Sequence, residues 1–411
     1  MEPIVISGYE VISCLGLDRR AFWRRLAAGE SGLGPITRFD PKGLAANVAG
    51  EIAGFDAEAL FGKQLDLLDR FAQLALYCAR RALAEAGLSG GLQPWFRPER
   101  VGVITGTGLG GVESEDRAFF QLYGQHAARL HPFCIPRMMA NAASAHISMQ
   151  SGARGPCFTL STACASATHA IGEAWRYLRD DAADLIIAGG ADAPLTYGVF
   201  KAWEGMRVLA PANGAPQRAC RPFSGDRAGM ALAEGAAIFV LERESTARRR
   251  GAPVLAEIAG YGAGADAGHI TQPGREGPLS AMRYALHSAG LRPDEVDYIN
   301  AHGTGTRLND AVEIAAIREL LGESAAAVSI SSTKSMHGHA MGASGALELA
   351  AVVLALEHQT VPPTANFNLP DPACNLDVTP NQARPRRLRA ALSNSFAFGG
   401  LNAVLAVRAR S

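Results

Sequence analysis

Hydrophobic and polar positions along the chain form two kinds of segment, which alternate with each other. Short apolar, β-branched runs that end at glycine predict buried strands, and longer segments with apolar residues at helical spacing predict helices. The predicted strands are 4–8, 101–106, 184–190, 235–241, 254–261, 296–300, 328–332 and 403–408. The predicted helices are 21–28, 65–87, 138–149, 280–290, 311–322 and 345–358. This alternation predicts an α/β fold, with a parallel or mixed sheet and helices on both of its faces.

The series of elements divides near residue 251, and the same order of elements recurs on either side. We therefore expect two halves, 1–250 and 251–411. No low-complexity linker separates them, so they should pack as one unit. A length of 411 residues suits one large or two fused domains, and 48% hydrophobic residues can supply a large core.

Charge and cysteine usage exclude several classes of protein. Lys+Arg and Asp+Glu both total 39, which argues against general binding to nucleic acid or to a membrane surface. The seven cysteines are scattered without a CxxC pair, so we expect no disulfide framework, no zinc site and a reducing cytoplasm. The sequence also predicts no signal peptide and no membrane span.

A glycine-rich segment follows the predicted strand 101–106. It has the spacing GxGxGG rather than the GxGxxG of dinucleotide-binding turns, and no acidic residue closes a clear second strand about 20 residues later. Two interpretations stay open. The loop could hold a nucleotide, or it could be a turn that lets the backbone approach a core helix.

Cys164 lies where a strand-like segment gives way to a helical one. The first turn of a helix carries unpaired N–H groups and positive partial charge, so a thiol there is expected to ionise more easily and to act as a nucleophile. The alternative is a buried structural cysteine, since free cysteine is among the most buried residue types.

Two further segments place reactive side chains in turns after predicted strands. His302 follows the strand 296–300, and Lys334 and His339 follow the strand 328–332. Each residue alone has a plain structural interpretation, but one thiol, two imidazoles and an amine at strand ends together indicate a thiolate site. Lys334 would need a partner in these apolar surroundings, and the candidates are Glu313 and the first turn of its helix.

Four motifs now identify a family resemblance that runs essentially end to end. They are Ser-Thr-Ala-Cys-Ala-Ser at 161–166, Asn-Ala-His-Gly-Thr-Gly-Thr at 300–306, Ser-Thr-Lys-Ser-Met-His-Gly-His at 332–339 and Asn-Ser-Phe-Ala-Phe-Gly-Gly at 394–400. In this order they resemble β-ketoacyl-(acyl carrier protein) synthases of the elongating type, in the thiolase-like superfamily. Within that family the chain is most similar to ketosynthase subunits of nodulation-factor and type II polyketide systems.

The resemblance implies a fold, a reaction and partners. The fold is thiolase-like, with two similar halves that form a five-layered α-β-α-β-α arrangement. The reaction is the decarboxylative condensation of a malonyl group with an enzyme-bound acyl chain. The partner is an acyl carrier protein, which brings the phosphopantetheine, so the enzyme needs no cofactor of its own. The family also implies a homodimer, or a heterodimer with a chain-length-factor subunit.

The resemblance also implies catalytic roles. Cys164 accepts the acyl chain as a thioester, and His302 and His339 donate hydrogen bonds to the enolate oxygen that forms on decarboxylation. Backbone N–H groups of Cys164 and Phe398 hold the tetrahedral oxyanion. Lys334 pairs with Glu313 and orients His339.

Further residues are placed by the resemblance around this centre. Thr304 and Thr306 bind the pantetheine arm, and Phe398 gates the acyl pocket. Phe396 contacts the substrate, and Leu109 lies near the far side of the pocket.

Asp310 supports the catalytic residues from behind, together with Glu313. Arg70 and Arg207 fall where the family docks acidic carriers. Ala397 stands where housekeeping members usually have Gly, which bears on how the Phe398 loop moves. His337 is assigned no role.

Two other functions remain as alternatives. A non-condensing partner subunit of a ketosynthase pair typically lacks the cysteine that this chain has. A nicotinamide-nucleotide oxidoreductase would use the glycine-rich loop after Gly106.

Overall fold

The buried apolar runs form a continuous ten-stranded sheet in the computed structural model, which describes residues 2–211 and 214–410. The strands of the protein are β1 (Ile4–Ser13), β2 (Gly34–Pro35), β3 (Val48–Gly50), β4 (Val101–Gly106), β5 (Cys157–Leu160), β6 (Leu185–Asp192), β7 (Leu232–Ala233), β8 (Gly235–Arg243), β9 (Ala256–Ala265), β10 (Tyr298–Asn300), β11 (Ser329–Ser331), β12 (Thr360–Val361), β13 (Arg384–Pro385), β14 (Ala390–Ala397) and β15 (Leu401–Ala409). Strands β2, β3 and β7 form a small separate sheet, and β12 pairs with β13.

Helices cover both faces of the large sheet. They are α1 (Arg19–Ala27), α2 (Ala57–Phe61), α3 (Arg70–Glu85), α4 (Val112–Phe119), α5 (Cys134–Met138), α6 (Ala142–Ser151), α7 (Ser166–Arg179), α8 (Tyr197–Gly205), α9 (Glu244–Arg249), α10 (Glu276–Ala289), α11 (Arg307–Leu321), α12 (Lys334–His337) and α13 (Ser344–His358). The predicted alternation of strands and helices is therefore confirmed.

The large sheet consists of the same arrangement twice. Its strand order is β11-β10-β14-β15-β9-β1-β8-β6-β4-β5. The five strands of each half form a set that can be renumbered 1 to 5 in chain order. Read from the outer edge of the sheet to its middle, both halves then have the order 3-2-4-5-1. In both halves the three strands nearest the outer edge are parallel to one another, and the other neighbouring strands pair antiparallel. The sets meet where β1 and β9 pair antiparallel from Ile4 opposite Ile258 to Ile6 opposite Ala256. The repeated order of elements in the sequence thus corresponds to a repeated topology.

Three hydrophobic clusters divide the molecule into layers. Helices α7 and α13 lie in the central cluster, against strands from both sets of five. Helices α3 and α6 cover the outer face of the first set, and α10 and α11 cover the outer face of the second. This arrangement is helix, sheet, helix, sheet, helix, which confirms the five-layered thiolase-like fold.

Among the elements that differ from the sequence-based expectation, two do so for identifiable reasons. The helix predicted from residue 65 begins at Arg70, because the side chain of Asp69 accepts a hydrogen bond from the N–H of Phe71 and caps the helix there. Strand β14 was not predicted. Its sequence places Ser and Asn among apolar residues. It is buried because β10 and β15 pair with it and helices α13 and α10 pack on the sheet.

Helix α13 and the turn before it form a stretch that is long and apolar enough to cross a membrane. This stretch is Met341–His358, and 89% of it is buried inside the protein. Helix α13 is one of the helices of the central cluster, packed between the two sets of strands.

Candidate active site

Cys164 lies in the short turn between β5 and α7. Ala163, just before it, has a φ of 50°, a conformation that a residue with a Cβ adopts at a cost of about 1 kcal/mol. Ser166 holds the turn, since its Oγ donates to the carbonyl of Ala163 (2.6 Å) and accepts from the N–H of Thr162 (2.9 Å). Cys164 is therefore presented just before the helix start, as predicted.

The turns after β10 and β11 bring two imidazoles to this thiol. Nε2 of His339 lies 3.1 Å from Sγ of Cys164, although 175 positions separate them in sequence. The His302 and His339 rings are 5.6 Å apart at 84°. One nitrogen from each histidine and the sulfur all lie within 4.8 Å of one another. The three residues predicted to meet at strand ends do meet.

Lys334 forms an ion pair with a different carboxylate from the expected one, and it contacts a different histidine from the expected one. Its Nζ pairs with the carboxylate of Glu348 on α13, not with Glu313, and both side chains are fully buried. The same Nζ contacts the carbonyl of His302 (2.7 Å) and Nδ1 of His302 (3.2 Å) rather than His339. The predictions that Lys334 pairs with Glu313 and orients His339 were wrong, because the Glu313 oxygens instead accept hydrogen bonds from the N–H groups of His302 and Gly303.

This contact fixes the tautomer of His302. An ammonium group donates hydrogen bonds and cannot accept them, so Nδ1 of His302 must be the unprotonated acceptor. In the neutral ring, Nε2 then carries the hydrogen. His302 thus presents an N–H donor on the side of the ring away from Lys334.

Burial controls the ionisation of these groups. Burial raises the pKa of the Cys164 thiol to about 12, and the nearby Lys334 charge only partly opposes this. Burial therefore opposes ionisation of the resting thiol, whereas the position at the helix start was expected to favour it. Burial lowers the pKa of both His302 and His339 well below the usual value, and the positive charge of Lys334 lowers it further. Both imidazoles are neutral at pH 7.

The same environment bears on metal binding. A sulfur and two imidazole nitrogens can be zinc ligands. Here, however, the Lys334 ammonium contacts one of the two rings, and a second positive charge beside it is unfavourable. The three side chains fit a general acid–base and nucleophile site better than a metal centre.

Glu313 and Asp310 support the turn that carries His302. Glu313 accepts hydrogen bonds from the backbone N–H groups of His302 (2.8 Å) and Gly303 (2.7 Å). Asp310 accepts from the N–H of Gly305 (3.2 Å). Burial raises the pKa of Glu313 to about 7. Both carboxyls therefore act on the backbone behind the histidine.

A cavity of about 850 Å³ opens onto Cys164, His302 and His339. Its walls include the predicted substrate-binding residues Thr304, Thr306, Phe396 and Phe398. The hydroxyl oxygens of Thr304 and Thr306 are 2.9 Å apart.

One side of this cavity is aromatic. Phe396 lies against the His302 ring, with ring centres 6.2 Å apart. Phe398 is stacked on Trp203, with ring centres 5.8 Å apart. The left-handed φ values of this loop fall on Gly399 (81°) and Gly400 (69°), while Ala397 pairs with Leu401 at the end of β14. In this conformation Ala397 imposes no backbone strain.

Leu109 does not line the cavity, and its side chain is 37% exposed. The loop after β4 instead wraps around the buried carboxylate of Asp192, which accepts from the N–H groups of Gly108 (2.7 Å) and Leu109 (3.2 Å). Gly106 lies against the start of α7, where a Cβ would come within 2.3 Å of the Ser166 backbone. The loop is a close-approach turn, and two of the N–H groups that could bind a phosphate already donate to Asp192.

The two arginines expected at the docking surface have different surroundings. Arg70 forms a two-point ion pair with the buried carboxylate of Glu234, and its side chain is 11% exposed. It does not line the cavity, so the structure contradicts its placement as a free docking cation. Arg207 is exposed at the mouth of the cavity, as the docking prediction requires.

Sequence reasoning missed Glu348, Asp192 and Trp203. Glu348 had a readable signal, since it is the one charge between Gly345 and Leu356 in a strongly apolar helix. Asp192 and Trp203 had none, because their contacts depend on loops from distant parts of the chain. His337, which was given no role, is buried and bonded to the hydroxyl of Thr333 (2.9 Å).

Comparisons with known proteins agree with this geometry. Residues 1–247 match the family described as "Beta-ketoacyl synthase, N-terminal domain", and residues 255–368 match "Beta-ketoacyl synthase, C-terminal domain". Nodulation protein E of Rhizobium sp. (strain N33) is 46% identical over 98% of each chain. The 3-oxoacyl-[acyl-carrier-protein] synthase 2 of Synechocystis sp. is 40% identical over 99% of this chain and 98% of its own. The solved structure of the ishigamide ketosynthase/chain length factor is 36% identical, covers 100% of both chains and has a TM-score of 0.92.

Proposed function

Because the chain belongs to the β-ketoacyl synthase family, we propose that Cys164, His302, His339 and Lys334 carry out its condensing reaction, in which a malonyl thioester loses carbon dioxide and extends an acyl chain. The observation that carries this assignment is the contact of 3.1 Å between the Cys164 sulfur and His339 Nε2 inside a cavity of about 850 Å³. A cavity of this size suits an acyl thioester. We also propose that residues 1–250 and 251–411 are the two domains of the chain.

Acyl transfer is the first half of the reaction. The Cys164 thiol gives its proton to Nε2 of His339, and the sulfur attacks the acyl thioester on a carrier protein. The N–H groups of Cys164 and Phe398 hold the oxyanion of the tetrahedral intermediate. Burial favours the neutral thiol at rest, so the nucleophile forms only when the base is in contact.

Decarboxylation is the second half. The malonyl thioester enters beside the acylated cysteine, and its carbonyl oxygen gains negative charge as carbon dioxide leaves. Nε2–H of His302 donates to this oxygen, with Lys334 holding the tautomer, and His339 supplies a second donor. The resulting carbanion attacks the acyl group on Cys164, and the new carbon–carbon bond releases the sulfur.

An acyl carrier protein is the proposed substrate carrier. Thr304 and Thr306 line the cavity and suit the polar pantetheine arm, and Phe398, which also lines it, is the proposed gate to the acyl space. Arg207 supplies positive charge at the mouth for an acidic carrier, and Arg307 is a second exposed arginine that lines the cavity. No cofactor is required beyond the phosphopantetheine on the carrier.

A second ketosynthase-type chain is the other proposed partner, as a homodimer or as a heterodimer with a chain-length-factor subunit. The support is the open sheet edge at β5, together with a group of exposed apolar side chains on and between α4 and α5. These side chains are Phe119, Phe120, Tyr123, Phe133, Ile135 and Met139. We place the protein in the cytoplasm, where all seven free cysteines would stay reduced.

The substitution Cys164→Ala tests the assignment. The variant is expected to lose the acyl adduct seen by intact-mass analysis after incubation with acyl carrier proteins, and to keep measurable decarboxylation of malonyl carrier. Cys78→Ala is the matched control, because Cys78 is also a fully buried free thiol but lies on α3, outside the cavity. A thioester on the Cys164→Ala variant, or an unacylated native chain with every carrier tested, would refute the proposal.

A further inference from the structure

His339 is held by a side chain on each edge of its ring. Nε2 faces the Cys164 sulfur at 3.1 Å, and Nδ1 faces the hydroxyl oxygen of Ser344 at 2.7 Å. All three side chains are buried. Ser344 is the first residue of α13, so the helix fixes where its hydroxyl lies. The three side chains are therefore in successive contact: the nucleophile Cys164, the base His339, and Ser344 as a third group that can orient the base.

We propose that Ser344 is a positioning residue whose Oγ accepts a hydrogen bond from Nδ1–H of His339, so that the Nε2 lone pair faces the Cys164 thiol. This inference rests on the proposed condensing function. A neutral imidazole carries one hydrogen, and a hydroxyl oxygen can accept it. The opposite tautomer would put a hydrogen between Nε2 and the thiol, which would leave no base for the sulfur.

The proton then follows a closed path. The S–H bond of Cys164 breaks as the Nε2–H bond of His339 forms, and the thiolate attacks the acyl thioester. The carrier leaves as a thiolate and takes a proton from water at the cavity mouth. His339 keeps its proton, and Nε2–H donates to the enolate oxygen during decarboxylation. When the carbon–carbon bond forms, the Cys164 sulfur leaves as a thiolate and regains the proton from Nε2.

A charged His339 needs the support that Ser344 offers. Lys334 is a nearby cation and opposes a second positive charge, while the Ser344 oxygen stabilises the imidazolium through Nδ1–H. The titratable groups that act on this pair from the neighbouring elements are Lys334, His302, His337, Asp192 and Glu348. These groups are common to the native chain and to a Ser344 variant, so a difference between the two reports on Ser344.

The test is the pH dependence of Cys164 alkylation by iodoacetamide, followed by mass analysis of the peptide that contains it. Ser344→Ala is expected to slow alkylation about tenfold at pH 7, the size expected for one hydrogen bond to a charged group. The difference should narrow as pH rises, because hydroxide increasingly removes the thiol proton in place of His339. Ser331→Ala is the matched control, since Ser331 is also buried and loses one hydrogen bond, to the hydroxyl of Tyr298 at 2.9 Å.

Identical profiles for the native chain and Ser344→Ala would overturn the proposal, and so would an equal loss at every pH, which would indicate a structural role. A second measurement needs no substitution of Ser344. The ¹⁵N shifts of labelled His339, assigned through His339→Asn, should show hydrogen on Nδ1 in the native chain, and hydrogen on Nε2 alone would refute the inference. Neither measurement uses a carrier or an acyl group, so failure of acyl loading would count against the proposed function and not against Ser344.

Discussion

Arg70 offers a direct test of whether a cation serves docking or stability. The substitution Arg70→Met removes the charge and keeps most of the apolar stem. Glu234, fully buried, would then keep one backbone donor, the N–H of Ile52 at 2.9 Å, and no cation. Leaving a buried charge without its partner costs about 3–5 kcal/mol. Because the Arg70 side chain is 11% exposed, we expect a loss near the lower end, about 3 kcal/mol.

The assay is urea unfolding at fixed protein concentration, together with KM for the acyl carrier substrate. Arg70→Met should lower the unfolding free energy and leave KM near that of the native chain. Arg207→Ala is the opposite case, because its side chain is exposed at the cavity mouth. It should leave stability within about 0.5 kcal/mol and raise KM.

A double variant separates the ion pair from the packing around it. Replacing both charges by apolar residues, as in Arg70→Met with Glu234→Leu, should recover much of the lost stability, since no unpaired charge stays buried. If Arg70→Met unfolds within about 1 kcal/mol of the native chain while KM rises several-fold, the structural reasoning fails and the docking role stands.

Three further predictions concern the site. His302→Ala should abolish malonyl decarboxylation while Cys164 still accepts an acyl group, and unchanged decarboxylation would contradict the assignment of the enolate donor. Glu313 has a pKa raised from 4.5 to about 7 by burial, so its contribution to stability is present below about pH 4.5 and is lost as pH rises through 7. The unfolding free energy of the native chain should therefore fall relative to that of Glu313→Gln between about pH 5 and pH 8, by up to about 3 kcal/mol, and a constant difference would refute this. Trp203→Ala should remove the stacking on Phe398, worth about 1 kcal/mol, and increase hydrolysis of the acyl-enzyme several-fold by admitting water, whereas unchanged hydrolysis would show that the stack does not control access.

The sequence by itself determined the elements and the chemistry. Apolar runs ending at glycine located most strands, and their alternation with helices fixed the α/β class, because these patterns depend on residues close together in the chain. Four motifs in order identified Cys164, His302, Lys334 and His339. Each lies after a strand, and turns at the ends of parallel strands converge on one side of a sheet.

Tertiary structure alone decided the partners and the charge states. Lys334 pairs with Glu348 rather than Glu313, and Arg70 is paired with Glu234, 164 positions away in sequence. The resting state of the Cys164 thiol depends on burial, which opposes ionisation more strongly than the nearby positive charge favours it. Ion pairing and desolvation act over a few ångströms in space, so they depend on which distant segments the fold brings together.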